Sequence, residues 1–256
     1  MSTAVATKPA KVSPKTSTNV KNAVGINGDN QKRHVLLIQN LLNRNLHLLP
    51  KIYPLTENGK NSQLTEQAIL SFQAIVVKTG PIDGRVDISG TTHKLLLKNA
   101  RRKRPSNVIK FINFVIKDAK KVSKKYKIPV SIVIAQSGQE IGWNLKPIGN
   151  AFYGEKSHNS KGPSVTFQTH EVIKGKRIKI KDKFKAFSSY AAAADGYGQF
   201  LTLNKRYKGC FAFYKKPYKF ADALAAAPYA TDPKYAQKLK RLLKLFYLTD
   251  YDRISP

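Results

Sequence analysis

The chain reads as a mainly α protein in two modules: a small three-helix unit, then a larger α+β unit that carries a β-hairpin. Three observations carry that reading. Apolar residues recur at helical spacing on both sides of a short basic run that ends in proline, turn-forming residues separate the helical stretches, and residues 165–187 alternate with period two. At 256 residues and 41% hydrophobic content, the chain has the length and the apolar side chains for two cores.

Residues 1–30 are rich in Ser, Thr, Ala, Lys and Pro and are expected to form a disordered leader. They contain no apolar stretch of about 7 to 15 residues of the kind that forms a signal-peptide core. No run of about 18 apolar residues appears elsewhere, so no membrane insertion is expected. The expectation is synthesis in the cytoplasm without a signal peptide, and action elsewhere only after non-classical export or lysis.

Residues 31–100 form the first module. Val35, Leu36, Ile38, Leu41 and Leu42 recur at helical spacing, Thr65 is placed to open a second helix, and Leu95, Leu96 and Leu97 follow Thr91 in a third. The cluster Gly80-Pro81-Ile82-Asp83-Gly84 between the last two predicts a turn with positive φ at Gly84. Residues 101–107 begin Arg101-Arg102-Lys103-Arg104-Pro105, four like charges and a proline, and are expected to be a solvated basic linker. Residues 108–256 form the second module, whose first helix is expected to be capped by Ser106 and to be most deeply buried in its first half.

The next helix is the most informative stretch. Pro129 suits a first helical turn, and Ile132, Val133 and Ile134 make the segment too apolar for a surface helix. Glu140 therefore stands at the end of a buried element, three residues before Trp143, the only tryptophan. A carboxyl group beside an aromatic plane and poorly hydrated has a raised pKa and can act as a general acid. Further on, Ile178, Ile180 and Phe184 alternate with lysines, which predicts a hairpin with one apolar face and one lysine face, and with Glu171 on its first strand.

The second module resembles the bacterial wall glucosaminidases of glycoside hydrolase family 73, which includes the hydrolase domain of the flagellar rod-assembly protein. The likeness lies in Ala135-Gln136 with Glu140 and Trp143, Asn150 to Gly154, Thr169-His170-Glu171, and Tyr229-Ala230-Thr231-Asp232-Pro233, in that order. It implies a lysozyme-like catalytic domain and an endo-β-N-acetylglucosaminidase activity on peptidoglycan. Glu140 would be the general acid and Glu171, on the hairpin, the second carboxylate; Trp143, Asn150, Phe152, Tyr153, Tyr207, Tyr229 and Asp232 would contact substrate. The first module is similar to the small peptidoglycan-binding domain appended to wall hydrolases, through Ile38-Gln39-Asn40-Leu41-Leu42, the helix from Thr65 to Gln73, and Asp83-Gly84.

The chemistry of the residues points the same way, because glycoside cleavage uses one protonated and one ionised carboxyl across the bond. The second module supplies only Glu140, Glu155 and Glu171 as glutamates, and Glu155, after a glycine, is expected to be solvated. Direct base action by Glu171 and attack by the substrate's own N-acetyl group both remain open. A muramidase or a lytic transglycosylase shares the lone essential glutamate. A noncatalytic cationic wall-binding protein is the reading from another class.

The formal charge of +31 concentrates polyanions at the surface, but basic residues are spread along the chain and no groove-reading motif appears, so no nucleic-acid partner is expected. One cysteine, Cys210, excludes an intrachain disulfide framework. His158 and His170 lack companions at ligand spacing, so neither metal nor cofactor is expected. A monomer is expected, acting as an injected antibacterial toxin or a phage lysin; a toxin would have a cognate immunity protein that plugs the cleft.

Overall fold

The computed structural model describes residues 20–157, 162–173 and 176–253, and for residues 169–179 the backbone alone. The chain divides into two compact units, Met1–Ala100 and Arg101–Pro256.

The first unit holds strand β1 (Ala23–Gly25), helix α1 (Lys32–Arg44), helix α2 (Gln63–Phe72), strand β2 (Arg85–Asp87) and helix α3 (Thr91–Asn99). The three helices enclose Val35, Ile38, Leu42, Ile69, Phe72 and Leu96. Helix α2 begins two residues before Thr65 because Ser62 is its cap: Ser62 Oγ accepts the Thr65 N–H at 3.3 Å, and the Thr65 side chain is buried. Gly84 has φ of 69°, as the turn requires.

The leader expectation is corrected for residues 20–30. Ala23, Val24 and Gly25 pair antiparallel with Asp87, Val86 and Arg85. The preceding turn is closed by Asp29, which accepts the Asn22 and Ala23 N–H groups, and by Asn30, which bonds both the N–H and the carbonyl of Gly25. These local bonds, with Val24 buried in the core, order a segment whose composition alone suggested none. Residues 1–19 lie outside the described residues.

The second unit begins with helix α4 (Ser106–Tyr126), helix α5 (Val130–Ile141), strand β3 (Ser164–Ile173) and strand β4 (Lys176–Lys185). Helices α6 (Tyr190–Leu203), α7 (Pro217–Ala226) and α8 (Tyr235–Leu245) follow, and a 3₁₀ segment, Leu248–Asp252, ends the described chain. The strands form an antiparallel hairpin in which Val165 faces Phe184 and Glu171 faces Ile178; its tip lies outside the described residues. Helix α4 starts with Pro105 in the cap position, without a side-chain cap from Ser106, and its buried stripe runs on to Val122 and Ser123. Cys210 is a buried free thiol. No described helix is long and apolar enough to cross a membrane.

The basic run is not a solvated linker. Arg104 is 5% exposed, donates from Nε to the Phe246 carbonyl at 2.7 Å, and lies over the rings of Tyr247 and Tyr251. Arg101 pairs with buried Asp250, and the Tyr247 hydroxyl donates to the Arg102 carbonyl. Guanidinium groups stack on aromatic faces and keep their hydrogen bonds when buried, which lysines do less well, and this lets a run of like charge join a packed surface.

Candidate active site

Helix α5 is buried from Val130 to Gly138 and opens to solvent in its last turn, where Glu140 stands; Gly142, with φ of 60°, ends it. Its start is pinned by Asp252, whose two carboxylate oxygens accept the Ser131 N–H at 2.8 Å and the Ser131 hydroxyl at 2.6 Å. Its middle is held by Gln136, which donates to the Tyr235 hydroxyl at 2.6 Å and accepts from the Tyr197 hydroxyl.

Two concavities meet at Glu140 and Gly154. One, of about 440 Å³, is walled by Tyr153, Glu155, Lys156, Arg206, Tyr207 and Tyr229. The other, of about 350 Å³, is walled by Ile141, Pro147, Ile148, Ala151, Phe167 and Phe184. A Cβ built on Gly154 would sit 3.0 Å from Glu140 Oε2, and the residue has φ of 60°, so both sterics and backbone call for glycine beside the carboxyl.

Glu140 is exposed by area because the cleft opens above it, yet among the described residues no donor is hydrogen-bonded to its carboxyl and no cation pairs with it. The crowding walls withhold hydration without replacing it, and this desolvation pushes its pKa up to about 7. The group can therefore hold a proton near neutrality and give it up in the same pH range.

Glu155 contrasts with it and corrects the sequence expectation of a solvated residue. It is 6% exposed, with Oε2 at 3.2 Å from Lys185 Nζ. Burial raises its pKa and Lys185 works against that rise. The backbone explains the burial: Lys185 N–H donates to the Glu155 carbonyl at 2.8 Å and Ser157 N–H to the Lys183 carbonyl at 2.8 Å, which clamps residues 155–157 against β4.

The aromatic floor is continuous. The Tyr153 and Tyr197 rings stack with centroids 4.3 Å apart, Tyr229 stacks on Tyr235 at 5.5 Å, and the Tyr229 hydroxyl donates to the Tyr153 carbonyl at 3.3 Å. Burial holds the Tyr229 phenol well above its usual range, so it stays neutral and serves as a hydrogen-bonding wall, not as a base.

Of the residues named from sequence, Glu140, Tyr153, Tyr207 and Tyr229 come together in this cleft. Trp143 does not: its ring lies over Gly138 and makes edge contacts with Phe111 at 5.4 Å and Phe246 at 5.0 Å, so it is a core residue and not the aromatic plane beside Glu140. Phe152 is fully buried and packs edge-on against Tyr190. Asn150 spends its amide on the Phe187 carbonyl at 2.8 Å, and Asp232 accepts the Lys234 N–H and pairs with Lys238. These four shape the loops around the cleft without lining it. The side chains of Glu171 and His170, and His158 entirely, lie outside the described residues. Among the described residues no group of three or more His, Cys, Asp or Glu is arranged to hold a metal ion.

Sequence reading named Gln136 in a motif but gave it no role, although a lone amide inside an apolar helical run signals a buried hydrogen-bond network. It also missed Phe167, Ile148 and Lys156 as cleft walls, because strand β3 and the long connection between α5 and β3 bring them there and no spacing encodes it.

A cleft of two halves with a protonatable carboxyl where they meet, unpaired among the described residues, is an arrangement that glycoside hydrolysis can use. Residues 116–248, just over half of the chain, match the family model Glucosaminidase, described as mannosyl-glycoprotein endo-beta-N-acetylglucosaminidase, and the chain belongs to that family. It is 35% identical over 156 residues to exo-glucosaminidase LytG of Bacillus subtilis (strain 168), covering 57% of this chain and 54% of LytG. It is 32% identical over 165 residues to peptidoglycan hydrolase FlgJ of Escherichia coli (strain K12), covering 61% of this chain and 52% of FlgJ. The chain thus spans about half the length of the curated relatives it matches. A solved N-acetylmuramoyl-L-alanine amidase structure from Staphylococcus aureus aligns over 60% of this chain and 46% of that one, with TM-score 0.52 and 23% identity, a likeness of fold alone. The second unit has the mainly helical architecture with one β-hairpin expected from the sequence.

Proposed function

We propose that the protein hydrolyses the β-1,4 glycosidic bond that follows N-acetylglucosamine in bacterial peptidoglycan, with Glu140 as the general acid. The observation that carries this is the Glu140 carboxyl at the junction of the two cleft halves, without a hydrogen-bond or ion-pair partner among the described residues and with its pKa pushed up to about 7 by desolvation. A sugar in each half places the connecting oxygen over Glu140, which protonates it as the bond to the anomeric carbon breaks. Tyr229, neutral and anchored through Tyr153 and Tyr235, orients the reacting sugar. Family membership and the likeness to proteins named as a glucosaminidase and a peptidoglycan hydrolase support the bond and polymer.

Glu171 is assigned the role of second carboxylate, either activating water or supporting attack by the N-acetyl group. It lies on β3 five residues before the strand's partner begins, and β3 also carries Phe167 into the cleft wall. The first unit is assigned a wall-binding role, and the positive charge of the chain favours the anionic wall. Action as an injected toxin or a phage lysin, as a monomer, completes the reading. Retention of a periplasmic immunity protein on the purified hydrolase, released by competing glycan, would favour the toxin.

The test is mass spectrometry of borohydride-reduced products from purified peptidoglycan treated with wild type, Glu140→Gln and Glu171→Gln. A reducing N-acetylglucosamine end that disappears in Glu140→Gln is the expected result. A reducing or anhydro muramic end would replace this reading with a muramidase or transglycosylase. Absence of soluble product from folded wild type would leave wall binding alone.

A further inference from the structure

The two halves of the cleft differ in charge. Among the described residues, the half walled by Ile141, Pro147, Ile148, Phe167 and Phe184 is lined by no charged side chain apart from Glu140; Phe167 and Phe184 stack at 4.1 Å and Ile148 is 70% exposed. The opposite half is walled by Lys156 and Arg206, with Lys185 paired to its wall residue Glu155, and two of these three cations are already spent. Lys156 Nζ lies 2.9 Å from Asp182, and Lys185 Nζ lies 3.2 Å from Glu155. Those pairs cancel. Arg206 is exposed, has no carboxylate partner among the described residues, and stands with its guanidinium carbon 5.3 Å from the centre of the buried Tyr207 ring.

A guanidinium stacked on a fixed ring keeps its N–H groups in one plane and directed outward, and its natural complement is a carboxylate held by two parallel hydrogen bonds. Peptidoglycan alternates a neutral acetamido sugar with one whose lactyl arm ends in a carboxyl or in a peptide that carries carboxylates. We propose that Arg206 determines substrate specificity in this half of the cleft by pairing with the carboxylate on that lactyl or peptide arm, so that the anionic sugar lies on the Arg206 side of Glu140 and the neutral sugar on the Phe167–Phe184 side. The inference rests on the peptidoglycan reading and adds the direction in which the strand lies. Lys156 and Lys185 cannot substitute, since using either would strand Asp182 or buried Glu155 without its partner.

The experiment separates binding from cleavage. Glu140→Gln protein, with Arg206 intact or changed to Met or Lys, is titrated calorimetrically with three soluble strands: stem-bearing glycan, glycan stripped of peptide so that the lactyl carboxylates are free, and stripped glycan with those carboxylates converted to methylamides. With Arg206 intact, a carboxylate-bearing strand binds about 10-fold tighter than the methylamide, the size of one charge-assisted hydrogen-bonded pair. Arg206→Met loses that preference while binding the methylamide unchanged, and Arg206→Lys recovers part of it. Preference confined to stem-bearing strands places the carboxylate on the peptide; preference for stripped glycan places it on the lactyl arm. Equal weakening on charged and neutral strands would reduce Arg206 to packing on Tyr207 and overturn the proposal, as would no change. Cleavage of all strands by wild type, indifferent to Arg206, would overturn this inference and keep the hydrolase; binding and cleavage of none would remove both.

Discussion

The two units solve the same packing problem with different side chains. The first is fastened by buried amides that bond loop backbone: Gln39 holds the Gly59 N–H and the Lys60 carbonyl, Asn43 the Leu55 N–H and carbonyl, and Gln73 the Gly84 N–H and the Arg85 carbonyl. The second buries polar groups too, and those gathered beneath the cleft are tyrosine hydroxyls and Gln136. Amides that close loops add stability and shape. A tyrosine floor adds a rigid apolar surface with fixed hydroxyls, on which a sugar ring can lie. Polar burial in the first unit therefore serves the fold, and in the second it also serves the site.

The contrast breaks most sharply at Glu140. Glu140→Gln should lower hydrolysis of peptidoglycan by at least about 10²–10⁴-fold, the range of general acid catalysis, with an unchanged circular dichroism spectrum. Its stability should move the other way. The Glu140 pKa is raised in the folded state to about 7 from an ordinary 4.5, so the folded protein binds a proton that the unfolded chain releases. The stabilisation this confers is fully present below about pH 4.5 and lost as pH rises through 7. Melting curves should show Glu140→Gln level with wild type near pH 4 and more stable by pH 8; a constant offset at all pH values would mean that the carboxyl is hydrated in solution.

Next in size is Asn43→Ala, which leaves the N–H and carbonyl of buried Leu55 without partners. Denaturant unfolding should report a loss of about 2–4 kcal/mol, while kcat on short soluble glycan fragments stays at the wild-type value. A fall in kcat would show that the first unit supports the site. Gln136→Met tests the second unit in the same way, stranding the Tyr197 and Tyr235 hydroxyls at a cost of about 2–3 kcal/mol. Here kcat should fall several-fold with little change in KM, because Tyr229 rests on Tyr235. The smallest effect is expected at Asp252→Ala, which removes the cap of α5 at a cost of about 1 kcal/mol, read from the shift in denaturation midpoint.

Periodicity placed the helices well where one face of a helix meets one core. Leu41 and Leu42 of α1 and the run at 130–135 of α5 are buried as their spacing implies, and the alternation of Ile178, Ile180 and Phe184 with lysines marks β4. It failed where a single side chain finds a distant partner. Arg104 reads as a linker residue until Phe246 and Tyr251, more than a hundred positions later, supply an acceptor and a ring. The same is true of β1, since three residues pair only because β2 returns beside them. Glu155 and Trp143 exchanged expectations for this reason: the glutamate after a glycine was drawn in by β4, and the tryptophan near the acid turned away toward Phe111 and Phe246.

What the sequence by itself determined was the helical character of both units, the hairpin, the turn at Gly84 and the position of one carboxyl at the end of a buried helix, because each follows from residues within a few turns of one another. Only the tertiary structure decided which side chains face that carboxyl. The walls of the cleft come from the loop after α5, the base of the hairpin and the segments on either side of α7. Its electrostatics depend on which lysine meets which acid across those elements, so among the described residues Glu140 is left without a partner while Glu155 has one. Distances between segments far apart in the chain set hydration and charge, and hydration and charge set what a carboxyl can do.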